Sequence, residues 1–196
     1  MMERHPLQPF LPQGATVLFL GSFPPPRQRW CMDFFYPNWI NDFWRIQGLI
    51  YYNDKDWFVI PGEKRFDRER IIAFCEHQGL AFFDMATAVN RLKDNASDAF
   101  LEIIEPTDIR SLLSRLPLCV KVVTTGGKAS EQVCLQFGIL REPPIGTSMR
   151  LHLENGRDLE WWRMPSTSRA YPLALDKKAQ YYRKIRAHFP FDEKNT

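Results

Sequence analysis

The spacing of apolar positions along the chain switches between two periods, and the switches predict the order of elements. Ala15-Thr16-Val17-Leu18-Phe19-Leu20 is a short apolar run ending at Gly21, the pattern of a buried strand that feeds a loop. Gly21-Ser22-Phe23-Pro24-Pro25-Pro26 cannot be helical, because three prolines remove backbone donors and fix φ. From Asn41 to Tyr52 the spacing becomes that of a helix, with Phe43, Ile46 and Ile50 on its apolar face. A second helix is predicted from Asp67 to Gln78, stopped by Gly79. Leu80-Ala81-Phe82-Phe83-Asp84 reads as the next strand. Thr107 to Leu116 reads as a helix with Thr107 as its N-cap. Val120 to Thr125 is a third strand, and Gly126-Gly127 opens a helix running through Gln136. Arg150 to Leu153 and Leu159 to Met164 are later strands, joined by the hairpin signal Asn155-Gly156. Leu175 to His188 is the last helix, with Leu175, Ala179, Tyr182, Ile185 and Phe189 on one face.

Strands alternating with helices imply an α/β fold, a three-layer αβα sandwich around a central, mostly parallel sheet. The chain has 196 residues, which suits a single domain over residues 1–196. In such sheets ligands bind beyond the carboxyl ends of the strands, which brings together the loops after Leu20, Phe83 and Met164.

Composition narrows the class only a little. At 44% hydrophobic and 25% charged, this is an ordinary globular chain, and the opening MMERHPLQPF lacks the apolar stretch of a signal peptide. No run approaches the length of a membrane helix, so a cytoplasmic protein with no membrane partner is expected, and a monomer. Cys31, Cys75, Cys119 and Cys134 form no CxxC pair and fit no zinc or iron–sulfur spacing, so free thiols, no metal and no cofactor are expected. Lys128 follows Gly126-Gly127 without the GxxxxGK[ST] spacing, which rejects nucleotide hydrolysis. The net charge of +3 permits a nucleic-acid partner without requiring one. The one asymmetry runs from Arg163 to Arg186, where Arg163, Arg169, Lys177, Lys178, Arg183, Lys184 and Arg186 are opposed only by Asp176. That is either a phosphate track or a solvated helix face.

Gly21-Ser22-Phe23-Pro24, then Phe34-Phe35-Tyr36-Pro37-Asn38-Trp39-Ile40-Asn41-Asp42-Phe43-Trp44, then Met164-Pro165-Ser166-Thr167-Ser168 make an ordered set of motifs. The set resembles the uracil-DNA glycosylase superfamily, nearest its hypoxanthine-DNA glycosylase branch and the mismatch-specific relatives. There a GSFP loop precedes a stretch like FYYxxPxNxFW, and a late loop reads LPSTSPAN. Phe82-Phe83-Asp84, Asn95-Ala96-Ser97-Asp98, Thr124-Thr125-Gly126-Gly127-Lys128-Ala129 and Leu175-Asp176-Lys177-Lys178 are similar to further family segments, so the likeness spans roughly residues 16–187. It implies a metal-free hydrolysis of the N-glycosidic bond of a hypoxanthine or uracil nucleotide swung out of DNA. Such an enzyme needs an aromatic face for the base, donors to its carbonyl oxygen and a polar group to place a water.

The resemblance assigns Asn41 to the water and Tyr36 to stacking on the base. The residues alone also allow Asn41 as a helix cap and Tyr36 as a core aromatic. Ser22 and Phe23 are implied as supports for base or water through their backbone, or else form a plain strand-to-loop turn. Phe23 stands where mismatch-uracil relatives carry a catalytic Asn, which leaves Asn41 as the better candidate. Asp84 either accepts from a base edge or organises the pocket. Ser166, Thr167, Ser168 and Arg169 are implied as the DNA grip, with a serine-threonine turn as the plainer reading. Arg169 replaces a proline, Tyr171 an asparagine and Trp39 a proline of the family pattern. These departures keep open a non-catalytic member of the fold that binds nucleic acid or a protein through the same cleft. A third reading, action on free nucleosides, is disfavoured by the basic segment, because a small substrate needs no phosphate track.

Overall fold

The computed structural model describes residues 2–92 and 100–186. The Asn95–Asp98 segment, and His188 and Phe189 of the last expected helix, lie outside the described residues. Eight strands, five α-helices and one 3-10 turn are described. The chain runs β1 (Met2–Arg4), β2 (Val17–Gly21), the 3-10 turn Arg27–Arg29, α1 (Phe43–Tyr52), α2 (Arg68–Gln78), β3 (Leu80–Asp84), β4 (Ala86–Arg91) and β5 (Leu101–Pro106). It continues through α3 (Ile109–Ser114), β6 (Lys121–Thr124), α4 (Gly127–Phe137), β7 (Thr147–His152), β8 (Asp158–Arg163) and α5 (Leu175–Arg183).

The central sheet has the order β3-β2-β6-β8-β7. β3, β2, β6 and β8 are mutually parallel, and β7 joins antiparallel at the edge. That edge is the expected hairpin, with Gly156 at φ 82, a left-handed turn position that favours glycine. The apolar strands β2 and β3 are buried along their whole length, as a sheet covered on both faces requires. On one face Phe19 packs edge-on against Phe43 of α1, and Phe43 in turn meets Tyr182 of α5. Phe74 of α2 packs on Tyr51 of α1. On the other face the Thr124 and Ser130 hydroxyls, 2.8 Å apart, tie β6 to α4, while Gln136 of α4 accepts from the Ile109 N–H of α3.

Several expectations need correction. A second, antiparallel sheet of order β1-β4-β5 was absent from the sequence reading. Its strands are short and mixed in polarity, so their apolar period is weak. The helix expected from Thr107 starts at Ile109 and ends at Ser114, and its cap is Asp108, whose carboxylate accepts from the Ser111 N–H. Thr107 instead donates its hydroxyl to the Asp84 carbonyl. The helix expected from Asn41 begins at Phe43, because Asn41 and Asp42 pair with Ser168 and Thr167. The α2 cap is as expected: Asp67 accepts from Arg70 N–H, and Gly79 closes the helix at φ 63.

All four cysteines are free. Burial pushes the Cys119 thiol up to about 11, so it stays protonated at neutral pH and is a poor nucleophile. Among the described residues no helix is long and apolar enough to cross a membrane, and no cluster of three or more His, Cys, Asp or Glu could hold a metal.

Candidate active site

The parallel strands end together. Gly21 at the end of β2 sits directly across from Asp84 at the end of β3, and Thr125 follows β6. Beyond these ends lies a cavity of ≈ 580 Å³. That is within the usual range for small-molecule and cofactor sites. The loop after β2 supplies Ser22, Phe23 and Pro24, the aromatic stretch supplies Tyr36 and Asn41, and the late loop supplies Ser166 to Arg169. The three strand-end loops singled out from the sequence therefore converge, and every candidate residue named there touches this one cavity.

Two charged contacts hold the convergence together. The buried Asp42 accepts from Arg169 Nε at 2.8 Å through Oδ1 and from Lys178 Nζ at 3.0 Å through Oδ2. Lys178 Nζ also donates to the Ser168 carbonyl at 2.8 Å, and the Asp42 N–H donates to the Thr167 carbonyl at 2.9 Å. Residues 41–42 and 167–168 are thus stapled across more than a hundred positions of chain. Lys178, counted among the basic residues of a possible phosphate track, is only 1% exposed and is an internal tie. Arg163 pairs with Glu142, Lys184 donates to the Gly146 carbonyl and Arg186 lies over Tyr51. Of the seven basic residues only Arg169 lines the cavity, so the C-terminal stretch is largely a structural and solvated face.

Tyr36 has a strained backbone and a braced ring. Its φ of 52 is in the left-handed region, shared among described non-glycine residues only with Asn53. Such a conformation costs about 1–2 kcal/mol and persists only where the surroundings impose it. The ring stacks on buried Phe43 at 3.9 Å and 2°, and the hydroxyl lies 2.7 Å from Thr125 Oγ1. The result is a fixed aromatic wall of the cavity. Phe43 and Trp44 are core residues beneath it.

Asn41 is both cap and wall. Its Oδ1 accepts from the Phe43 N–H at 2.9 Å, which fixes the orientation of the amide at the start of α1. Its Nδ2 has no acceptor among the described residues. Phe23 packs edge-on against His5, and its backbone N–H likewise has no acceptor among the described residues.

Asp84 is buried at the cavity floor. Its Oδ2 lies 2.9 Å from His5 Nε2, and Gly21 leaves the space its Oδ1 occupies, since a Cβ there would collide with that oxygen. His5 carried no apolar period and no motif, so sequence reasoning missed it.

In the late loop the Ser168 N–H donates to Ser166 Oγ and the Ala170 N–H to Ser168 Oγ, the serine turn foreseen as the plainer reading. Each serine hydroxyl proton is left without an acceptor among the described residues. Thr167 is buried, and its carbonyl accepts from the Asp42 N–H. Trp39 does not line the cavity; it packs on Arg45 at 4.2 Å and on Phe66. That departure from the family pattern is absorbed away from the site. Arg29 and Ile40, both exposed at the mouth, were missed because single residues in a loop leave no periodic signal.

No protein-family profile matches the chain, and no curated protein matches it. A solved structure does: the solution NMR structure of a "putative Uracil DNA glycosylase" from Methanosarcina acetivorans. It superposes with a TM-score of 0.63 at 20% identity, covering 96% of this chain and 98% of that one. The two proteins share a fold. The mixed sheet with helices on both faces is therefore a known architecture, while the cavity residues are described from this chain alone.

Proposed function

We propose that this protein is a DNA glycosylase that hydrolyses the N-glycosidic bond of a deaminated base, hypoxanthine or uracil, swung out of DNA. The observation that carries the reading is the braced Tyr36 ring and the Asn41 side chain lining one cavity of ≈ 580 Å³. The likeness in fold to a protein described as a uracil DNA glycosylase supports it.

In this reading the base stacks on Tyr36. Asn41 Nδ2 holds the attacking water by donation, and the second lone pair of Oδ1 is left to accept from it. As the water oxygen bonds to C1′, the glycosidic bond breaks and its electron pair leaves on the base; the proton the water gives up ends on the departing base anion, so the products are the free base and a sugar with a hydroxyl at C1′. The Ser22–Phe23 turn lies where backbone N–H groups can stabilise that developing charge. Ser166, Ser168 and Arg29 contact phosphate. Arg169, tethered to Asp42 but 43% exposed, holds the late loop against DNA. Ile40, 52% exposed at the mouth, is the apolar wedge for the gap left in the duplex.

The direct test uses labelled duplexes holding one hypoxanthine, uracil or xanthine, with alkali cleavage at the abasic site. Strand scission by the wild-type chain is expected for at least one of them. Salt-sensitive binding with no scission of any would favour the non-catalytic reading, and release of base from free inosine alone would favour nucleoside chemistry.

Two further results are expected. Tyr36→Ala weakens binding of the lesion duplex about 10- to 100-fold, the value of one base–aromatic stack, while Tyr36→Phe loses far less because the ring remains. Arg29→Ala lowers affinity for lesion and undamaged duplexes alike and reduces the slope of log K against log salt by about 1, read by anisotropy titration at several salt concentrations.

A further inference from the structure

We propose that Arg91, clamped by Glu3, is a positioning residue for excision: its guanidinium fixes the proline loop and so keeps the Ser22–Phe23 backbone aligned with the base. This rests on the glycosylase reading for its reaction, and it gives the small β1-β4-β5 sheet a part in the site.

The sequence makes this loop hard to hold. Pro24, Pro25 and Pro26 have no N–H, so over three residues the backbone can only accept. Each of the three carbonyls has a donor. The Pro26 carbonyl takes the Arg29 N–H at 2.9 Å, and the Pro25 carbonyl takes Trp30 Nε1 at 2.7 Å. Both of those donors belong to the same turn of chain, so they shape the loop without placing it. The Pro24 carbonyl takes Arg91 Nη2 at 2.9 Å, across 67 positions. Ser22, Phe23, Pro24 and Pro25 line the cavity and Arg91 does not, so Arg91 acts through the loop.

The guanidinium is itself fixed. Its Nε donates to Glu3 Oε1 at 3.0 Å and its Nη2 to Glu3 Oε2 at 3.1 Å. That two-point grip sets the plane of the fork, and Nη2 has a second N–H left for the Pro24 carbonyl. Glu3 stands on β1 opposite Val89 of β4, so Arg91 is its diagonal neighbour two places along. The Arg91 side chain is 4% exposed, against 41% for Glu3. A lysine ammonium has no such plane, so holding carboxylate and carbonyl together calls for arginine. At the root of the loop, the Met85 N–H between β3 and β4 donates to the Gly21 carbonyl at 2.9 Å. Ser22 and Phe23 are thus suspended between two fixed carbonyls, Gly21 and Pro24, both held from the β3–β4 segment. In the glycosylase reading those two residues meet the charge that develops on the leaving base. A displacement of about 1 Å there costs about 10²-fold in rate.

The test uses the full chain and reads single-turnover excision, affinity for the lesion duplex by anisotropy, and trypsin nicking after the exposed Arg27 and Arg29. Arg91→Ala is expected to lower the excision rate about 10²-fold. Affinity falls far less, since Tyr36 and the late loop are untouched. Nicking after Arg27 and Arg29 speeds up about tenfold, because a loosened loop opens its backbone to the protease. Millimolar guanidinium, against matched sodium chloride, fills the space the side chain leaves and restores part of the rate. If Arg91→Ala fails to fold, Glu3→Ala serves, because Glu3 is half-exposed. It frees the fork and lowers excision about tenfold, while Glu3→Gln, whose amide oxygen still accepts, keeps most of the rate. Excision within a few-fold of wild type in the folded alanine variant overturns the proposal. So does a loss that falls equally on rate and affinity, or one with no change in nicking. In each of these cases the glycosylase reading stands. Faster nicking in Arg91→Ala, in a chain whose wild type cuts no lesion duplex, keeps Arg91 as the fixing point of the loop and sinks that reading.

Discussion

Asn41→Asp is expected to lower excision of the lesion base about 100-fold or more while leaving thermal stability close to wild type. The side chain has two jobs that this substitution separates. Oδ1 caps α1 by accepting from the Phe43 N–H, and an aspartate oxygen does that equally well. A negative charge at a helix N-terminus is favourable in addition. The Nδ2 group, which faces the cavity without an acceptor among the described residues, is lost. Misplacing a reacting group, here the attacking water, by about 1 Å typically costs about 10²-fold. Asn41→Ala loses both jobs, so it also destabilises by about 1 kcal/mol, the usual value of a lost cap. Single-turnover excision and thermal melts on the two variants check this. Full activity in Asn41→Asp would remove Asn41 from the chemistry and leave it a cap.

Asp42→Ala has the largest expected effect on stability. It leaves the Lys178 ammonium, 1% exposed, with the Ser168 carbonyl as its one partner and no counter-charge among the described residues. Breaking a buried pair from one side costs about 3–5 kcal/mol, which for a chain of this size lowers Tm by roughly 10 °C. The double change Asp42→Leu with Lys178→Met removes both charges and is expected to recover most of that loss, because replacing a whole buried pair by apolar groups is often neutral. Excision should still be impaired in the double variant, since the late loop loses a tie to α1. Calorimetry or thermal melts decide it. A single variant within about 1 kcal/mol of wild type would mean that the staple contributes little.

The aromatic-rich stretch shows where local reading stops. Tyr36 and Asn41 were open to two interpretations each, core or stacking and cap or catalysis, because a residue's neighbours in sequence do not say which wall of which cavity it joins. In the structure Asn41 is cap and wall together, and Tyr36 leans on the core with one ring face while lining the site. The basic stretch after Arg163 was open between phosphate track and solvated face for the same reason: charge is visible in sequence, but Lys178 lies inside and Arg163, Lys184 and Arg186 answer to partners far along the chain.

What the chain's own pattern determined is the succession of parallel strands and covering helices, and with it the end of the sheet where a site would form. Period and turn chemistry act over a few residues, so one sequence suffices to read them. The small β1-β4-β5 sheet, the Asp42 staple and the pairing of His5 with Asp84 were decided only by tertiary structure. Each joins polar groups far apart in the chain, and the low dielectric of the interior, not any local period, makes those pairings compulsory.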